Sequence, residues 1–375
     1  MKKINRFLLL LLAVILLVVP SSCGFVTTRE PKAESKGPVQ TAEPTPEPTK
    51  KPTPTPHPRP TPTPKILNLL TGEPTLTQEA VGKRPVAVTI DNLTEAMPQE
   101  GIGSADVLFE LPVEGNITRL MAVYGDYTKV PEICPIRSCR YYYPILAAGF
   151  HAVYVHWGQD EMLAAETLNL LTVDTMDGLK NTGGLFSRSQ PRLDGGYSYE
   201  HTGCFDGAGL PKALQQMGVS AELPVNKNDP FFLFRAEAEA PEGQACKTAT
   251  IGFGGETYST LAYNSYNQTY DKYHCGSPHR DGVTGIRLTY SNVFVLETEI
   301  ETLPEKGLKK IDWKGGAGHF GYYISCGAAQ KITWQKEDEY ANLEFFTLDG
   351  KRLRVNPGKS YIAFTSSGNT ALSES

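Results

Sequence analysis

Arg84-Pro85-Val86-Ala87-Val88-Thr89-Ile90-Asp91-Asn92 is the stretch on which the fold turns. Val86, Val88 and Ile90 are β-branched, Ala87 is small, and the run closes on two polar residues. It reads as a buried strand with a polar tip. Outward from it, Ala105 to Leu111 and Ile117 to Tyr124 are two more β-rich runs, separated by the turn signal Val113-Glu114-Gly115-Asn116. Cys139 to Phe150 reads as a helix with Pro144 near its first turn. His151 to Trp157 reads as a strand, with Val153, Val155 and Trp157 alternating against Tyr154 and His156. Asp160 to Leu171 has helical apolar spacing and acidic residues at its start, and Leu210 to Met217 is a helix stopped by Gly218. Strands interleaved with helices predict a mixed α/β domain over 66–222.

From 223 to 370 the texture changes. Phe231 to Phe234, Thr248 to Phe253, Tyr258 to Tyr263, Gln268 to Tyr273 and Asn292 to Ile300 are short aromatic or β-branched segments. Gly321 to Cys326, Lys331 to Lys336, Leu343 to Leu348 and Tyr361 to Thr365 continue the pattern, and Asp281-Gly282 and Asp349-Gly350 are turn pairs. This half is expected to be a β-rich domain, so the fold class is mixed α/β, or α+β.

The first 65 residues are of another kind. Lys2, Lys3 and Arg6 precede an uncharged apolar run, Phe7 to Val19, of signal-peptide length and too short to span a bilayer. Pro20-Ser21-Ser22-Cys23-Gly24 follows, so residues 1–23 resemble a lipoprotein signal with Cys23 as the residue that is diacylated. Pro20 stands where such a signal prefers an aliphatic residue. Residues 24–65 hold almost nothing apolar to bury, and from Glu43 to Pro64 they alternate Pro with Thr, Glu, Lys, His and Arg. Such a segment is expected to stay disordered and to sample polyproline II, reaching on the order of 100 Å when extended. The expected address is the extracytoplasmic face of a membrane, with a lipid anchor and a spacer.

After residue 65 the chain holds 26 Lys and Arg against 37 Asp and Glu, a balance of −11. An acidic globule is a poor partner for nucleic acid or anionic lipid. Cys134, Cys139, Cys204, Cys246, Cys275 and Cys326 remain for disulfides in an oxidising compartment, and Cys134 and Cys139 are near enough in sequence for a local bridge.

Short catalytic signatures do not carry the function. Gly316-Ala317-Gly318-His319-Phe320-Gly321 has dinucleotide-loop spacing but lacks the strand before and the helix after it. Pro357-Gly358-Lys359-Ser360 lacks the upstream glycine of a phosphate loop. His274-Cys275-Gly276-Ser277-Pro278-His279-Arg280-Asp281 carries zinc-type ligands, yet the same residues suit a polar β-turn, and no metal or cofactor is inferred. The candidate ligand-binding residues are instead those at strand ends: Asp91, Asn92, Glu110, Glu114, Arg119, Arg137, Arg140 and His156. Arginines there suit bidentate capture of an anionic or zwitterionic ligand, and a network of salt bridges locking adjacent loops uses the same residues.

Read together in order, these residues are familiar. Arg84-Pro85-Val86-Ala87-Val88 with Ile90-Asp91-Asn92, Pro98-Gln99, Ala105-Asp106-Val107, Glu110, Val113-Glu114-Gly115, Ile117-Thr118-Arg119 and Pro135-Ile136-Arg137-Ser138 with Arg140 resemble the YerB-like lipoprotein family. Asn292-Val293-Phe294-Val295, Lys331-Ile332-Thr333-Trp334 and Asn356-Pro357-Gly358-Lys359 extend the resemblance to about residue 367. It implies a lipoprotein with an α/β domain followed by a β-rich one, and no established activity. Trp157-Gly158-Gln159-Asp160 and Tyr199-Glu200-His201-Thr202 depart from the family pattern. Two functions follow as expectations. One is a non-catalytic module that binds a wall-derived or small polar ligand, or an envelope partner protein. The other is an envelope hydrolase acting on peptidoglycan or another glycan, with Glu110, Glu114 or Asp91 as acid and base.

Overall fold

Strand β1 (Val86–Asp91) lies inside an eleven-stranded sheet, flanked by an antiparallel strand β3 (Thr118–Tyr124) and by the parallel strand Val153–His156. The computed structural model describes residues 66–224 and 229–374, which belong to the compact unit Pro62–Ser375. The apolar leader, Cys23 and the Pro/Thr-rich segment lie outside the described residues. Among the described residues, no helix is long and apolar enough to cross a membrane.

From one edge the sheet runs Glu344–Thr347, Ala328–Gln335, Gly315–Ser325, Asn292–Glu297 and Ser360–Thr365. It continues through β2 (Val107–Pro112), β3, β1, Val153–His156 and Thr175–Asp177, with Gln244–Ala245 joined beside Ala328–Gln335. The two halves of the chain meet within it, because β2 pairs in parallel with Ser360–Thr365, Val107 opposite Ser360 through Glu110 opposite Ala363. Every residue of β1, β2 and β3 is buried, as expected of strands covered on both faces. Successive side chains therefore enter different cores. Val86, Val88 and Ile90 join Leu108 and Leu120 under a second, six-stranded sheet that supplies Ile251, Leu261 and Tyr270. Ala87 joins Phe109, Met121 and Val123 on the other face, against Tyr142 and Tyr143 of helix α1 (Tyr142–Gly149). The architecture is mixed α+β.

Most expected strands and helices are present with ends shifted by a few residues. Helix α2 (Leu163–Leu170) starts later than Asp160 because the Asp160 carboxylate accepts from the amides of Leu163 and Ala164, at 2.8 and 3.1 Å, and caps it from outside. Phe231 to Phe234 is not a strand. Its Phe231 and Phe232 are wedges in the aromatic core, packed on Phe150 with centroids 5.1 and 6.5 Å away. The local Cys134–Cys139 bridge is not formed either. Cys134 pairs with Cys204, 70 residues away, while Cys139 is buried beside Tyr154 with its thiol pushed up to about 12 by burial. The turn-like run Gly316 to Gly321 lies inside the strand Gly315–Ser325, which removes any resemblance to a nucleotide loop.

Candidate functional site

The polar tip of β1 is where the predicted residues converge. Strand register sets Asp91 opposite Arg119 of β3. The Asp91 carboxylate, 1 % exposed, accepts from the Leu93 amide at 3.0 Å, and its other oxygen is 2.8 Å from His201 Nδ1 and 3.2 Å from Arg137 Nε. Arg137 reaches it because the loop Pro135–Arg137 lies along the strand end. The Asp91 amide donates to the Pro135 carbonyl and the Arg137 amide to the Thr89 carbonyl, each at 3.0 Å.

Glu114 stands on the turn between β2 and β3 and binds two arginines. Its carboxylate accepts from Arg119 Nη2 at 2.8 Å and from Arg140 through both Nε, at 2.8 Å, and Nη2. Burial pushes the Glu114 carboxyl up, but the Arg140 hydrogen bonds and the Arg119 and Arg140 charges outweigh it and hold it at about 2. Arg119 also donates to the Ser138 carbonyl at 2.9 Å, and the hydroxyl of Tyr143 donates to the Arg119 carbonyl at 2.9 Å, which ties helix α1 to the cluster.

Asn92, Glu110 and Thr118 face inward, into a sealed polar network beneath the small sheet. Glu110, 0 % exposed, accepts from Asn92 and Thr118 on one oxygen, at 3.0 and 2.9 Å. Its other oxygen accepts from Ser259 and Tyr361, each at 2.8 Å, and lies 3.0 Å from Lys272 Nζ. Lys272 in turn is 3.1 Å from His279 Nδ1, whose Nε2 is 2.8 Å from the Gln99 side-chain oxygen. Burial alone would push the Glu110 carboxyl up, yet the Lys272 ammonium and the Tyr361 hydrogen bond prevail and keep it below its ordinary value.

The eight predicted residues thus divide three ways. Asp91, Arg119, Arg137, Arg140 and Glu114 form one cluster at the strand ends. Asn92 and Glu110 belong to the sealed network. His156 joins neither: its ring stacks on Tyr154 with centroids 5.2 Å apart, and its Nδ1 is 2.9 Å from the Gly158 carbonyl. Gln99, His201, Ser259, Lys272, His274, His279 and Tyr361 are not among the candidates, although His274 and His279 lie in the run weighed for zinc and His201 in one that departs from the family pattern. One signal was legible for two of them. In Thr269–His274 the buried positions are Tyr270, Lys272 and His274, so a lysine sits at an inward phase of a period-two strand.

The outer side of the cluster is different in kind. Arg137 donates to the Glu200 carbonyl at 3.3 Å, and the neighbouring Tyr199 carbonyl accepts from Arg188 at 2.7 Å. The Arg188 guanidinium lies between two rings, 4.2 Å from Trp157 and 4.0 Å from Tyr199, and Tyr199 is 64 % exposed. The Trp157 amide donates to the Arg137 carbonyl at 3.0 Å. Trp157-Gly158 and Tyr199-Glu200-His201, which depart from the expected pattern, therefore meet at Arg137. Chemically, this is a shelf of guanidinium groups and aromatic faces, backed by carboxylates already engaged by cations.

Residues 70–219 match the N-terminal domain, and residues 249–362 the C-terminal domain, of a protein family of unknown function, DUF3048. The chain belongs to the DUF3048 family. Both parts of the family pattern are needed to build the sealed Glu110 network, since β2 and β3 fall in the first match and Ser259, Lys272 and Tyr361 in the second, whereas the cluster around Arg137 lies within the first alone. Among curated proteins the chain is 29 % identical over 304 residues to the protein named "Putative lipoprotein YerB" of Bacillus subtilis (strain 168), covering 78 % of this chain and 84 % of that one. The crystal structure of YerB from Bacillus subtilis superposes with a TM-score of 0.71 at 26 % identity, over 82 % of this chain and all of that one.

Proposed function

We propose that this DUF3048 protein is an envelope lipoprotein, anchored through acylated Cys23, that binds a small polar or wall-derived anionic ligand without transforming it. The anchor is supported by the apolar leader ending at Cys23 and by the relative named as a lipoprotein. The observation that carries the binding reading is Arg137. Its Nε is buried without a hydrogen bond, 3.2 Å from Asp91, and its guanidinium borders the Trp157–Arg188–Tyr199 stack. A carboxylate or phosphate arriving there would meet a bidentate donor already oriented by Asp91, and a sugar or peptide face would meet Tyr199.

The same geometry disfavours the hydrolase reading. Asp91 and Glu110 are buried, and Glu114 is clamped by two arginines and held at about 2, so it carries no proton to donate near neutrality. Calorimetry of the full chain in detergent with soluble muropeptides tests the binding reading. Arg137→Ala and Tyr199→Ala are each expected to weaken binding at least tenfold while circular dichroism stays unchanged. Binding that survives both substitutions, or none to wild type, overturns it. The anchor is tested separately: Cys23→Ser is expected to shift the protein from the membrane to the soluble fraction.

A further inference from the structure

A second feature lies at the far edge of the large sheet and belongs to the C-terminal half. A groove of about 610 Å³ is bordered by Arg235, Lys331, Lys351, Arg352 and Arg354. Glu242 and Asp349 are the acidic residues on its wall. With Glu239 and Glu344, which pair with Arg235 and Arg352, the groove and its rim hold five cations against four carboxylates, the reverse of the rest of the folded chain, where 21 Lys and Arg face 33 Asp and Glu. Such a reversal concentrates positive potential where the surrounding surface repels anions.

Local structure explains the arrangement. The segment from Arg352 to Val355 runs beside the edge strand Glu344–Thr347, with the Leu353 amide donating to the Phe345 carbonyl at 2.8 Å. On its other side the Arg235 amide donates to the Val355 carbonyl at 2.8 Å. Leu353 and Val355 are buried, so the period-two alternation turns Arg352 and Arg354 outward together, about 6.6 Å apart along the chain. Three of the cations have carboxylate partners: Arg235 with Glu239 at 2.5 Å, Lys351 with Asp349 at 2.6 Å, and Arg352 with Glu344. Lys331 lies over the Phe320 ring at 4.4 Å, and among the described residues neither it nor Arg354 has a carboxylate partner. Arg235 Nε is buried in the groove wall with no hydrogen-bond partner.

We propose that this groove is a binding site for an extended phosphodiester polyanion of the polyol-phosphate kind. Several arginines in a row match phosphate bidentately at successive positions, whereas an isolated small anion would use only one or two of them. The Arg137 shelf takes no part, and only the source of the polymer rests on the proposed address outside the membrane.

Calorimetry of the full chain in detergent, titrated with synthetic poly(glycerol phosphate) at low salt, tests the proposal. Binding is expected, weakening steadily as salt is raised because neutralised phosphates release counterions. Lys331→Ser combined with Arg354→Ser, both exposed positions, is expected to weaken it at least tenfold, while Arg137→Ala leaves it unchanged. No binding by the wild type overturns the proposal. So does equal binding by the double variant, or equal affinity for single-stranded DNA or poly-glutamate, which would mark unselective charge attraction.

Discussion

Lys272 holds its Nζ 3.0 Å from Glu110 Oε2 with neither side chain exposed, joining a strand of the small sheet to a strand of the large one. Each family domain supplies one partner. Two charges removed from water are tolerated because every Glu110 oxygen is bonded and Lys272 also donates to Ser259 at 2.9 Å.

Removing only the cation should therefore be severe. Lys272→Met strands an ionised carboxylate and is expected to cost about 3–5 kcal/mol in urea denaturation. Lys272→Met with Glu110→Gln removes both charges and should recover a large part of that loss. A double variant no better than the single would show that the charge pair is not what holds this junction.

The network also makes stability depend on pH. Burial holds the His274 imidazole down at about 4, against the pull of the Glu110 carboxylate 3.9 Å away, with Lys272 and His279 as its other charged or titratable neighbours. Between pH 6.5 and 4 the unfolded chain takes up a proton there that the folded chain does not. Stability should thus be full above pH 6.5 and decline as pH falls toward 4. His274→Gln is expected to flatten that decline in denaturant midpoints measured every half unit.

Glu114 acts in a lower window. Its folded carboxyl sits at about 2, beneath the ordinary value of 4.5, so its ion pairs stabilise fully above 4.5 and are lost as pH falls through about 2. Glu114→Gln should lower stability at pH 7 and reduce the acid-induced loss between pH 4.5 and 2. An unchanged acid limb in the variant would rule out this assignment.

Cys134–Cys204 closes a loop of 70 residues and fastens the loop bearing Arg137 to the strand Gly203–Asp206. Cys134→Ala with Cys204→Ala is expected to cost about 2–4 kcal/mol and to weaken ligand capture at Arg137. Peptide mapping of the unreduced protein should recover the Cys134–Cys204 pair. A Cys134–Cys139 pair would contradict it.

Legibility differed between site and surroundings. Asp91, Glu114, Arg119, Arg137 and Arg140 were visible in sequence because each sits at the end of a recognisable β run or in the loop that returns to it. The pairing of His201 with Asp91, 110 residues away, left no local trace. Neither did the choice of Cys204 as the partner of Cys134, which depends on two loops meeting across the sheet end. His156 stands apart from the cluster because a strand end defines a position along the chain, whereas its ring turns against Tyr154.

What the sequence determined by itself was local: most of the runs that are strands, with their ends placed to within a few residues, and that residues 24–65 lack the apolar content to build a core. Those properties follow from side-chain type and period, which act over a few residues. Only the tertiary structure decided that β2 pairs with Ser360–Thr365, that Glu110 meets Lys272, and that Arg137 reaches Asp91 and the Glu200 carbonyl beside the Trp157–Arg188–Tyr199 stack. Those contacts depend on strand order and register, and no short stretch encodes either. Hydrophobic burial selects among arrangements only when both faces of the sheet are covered at once.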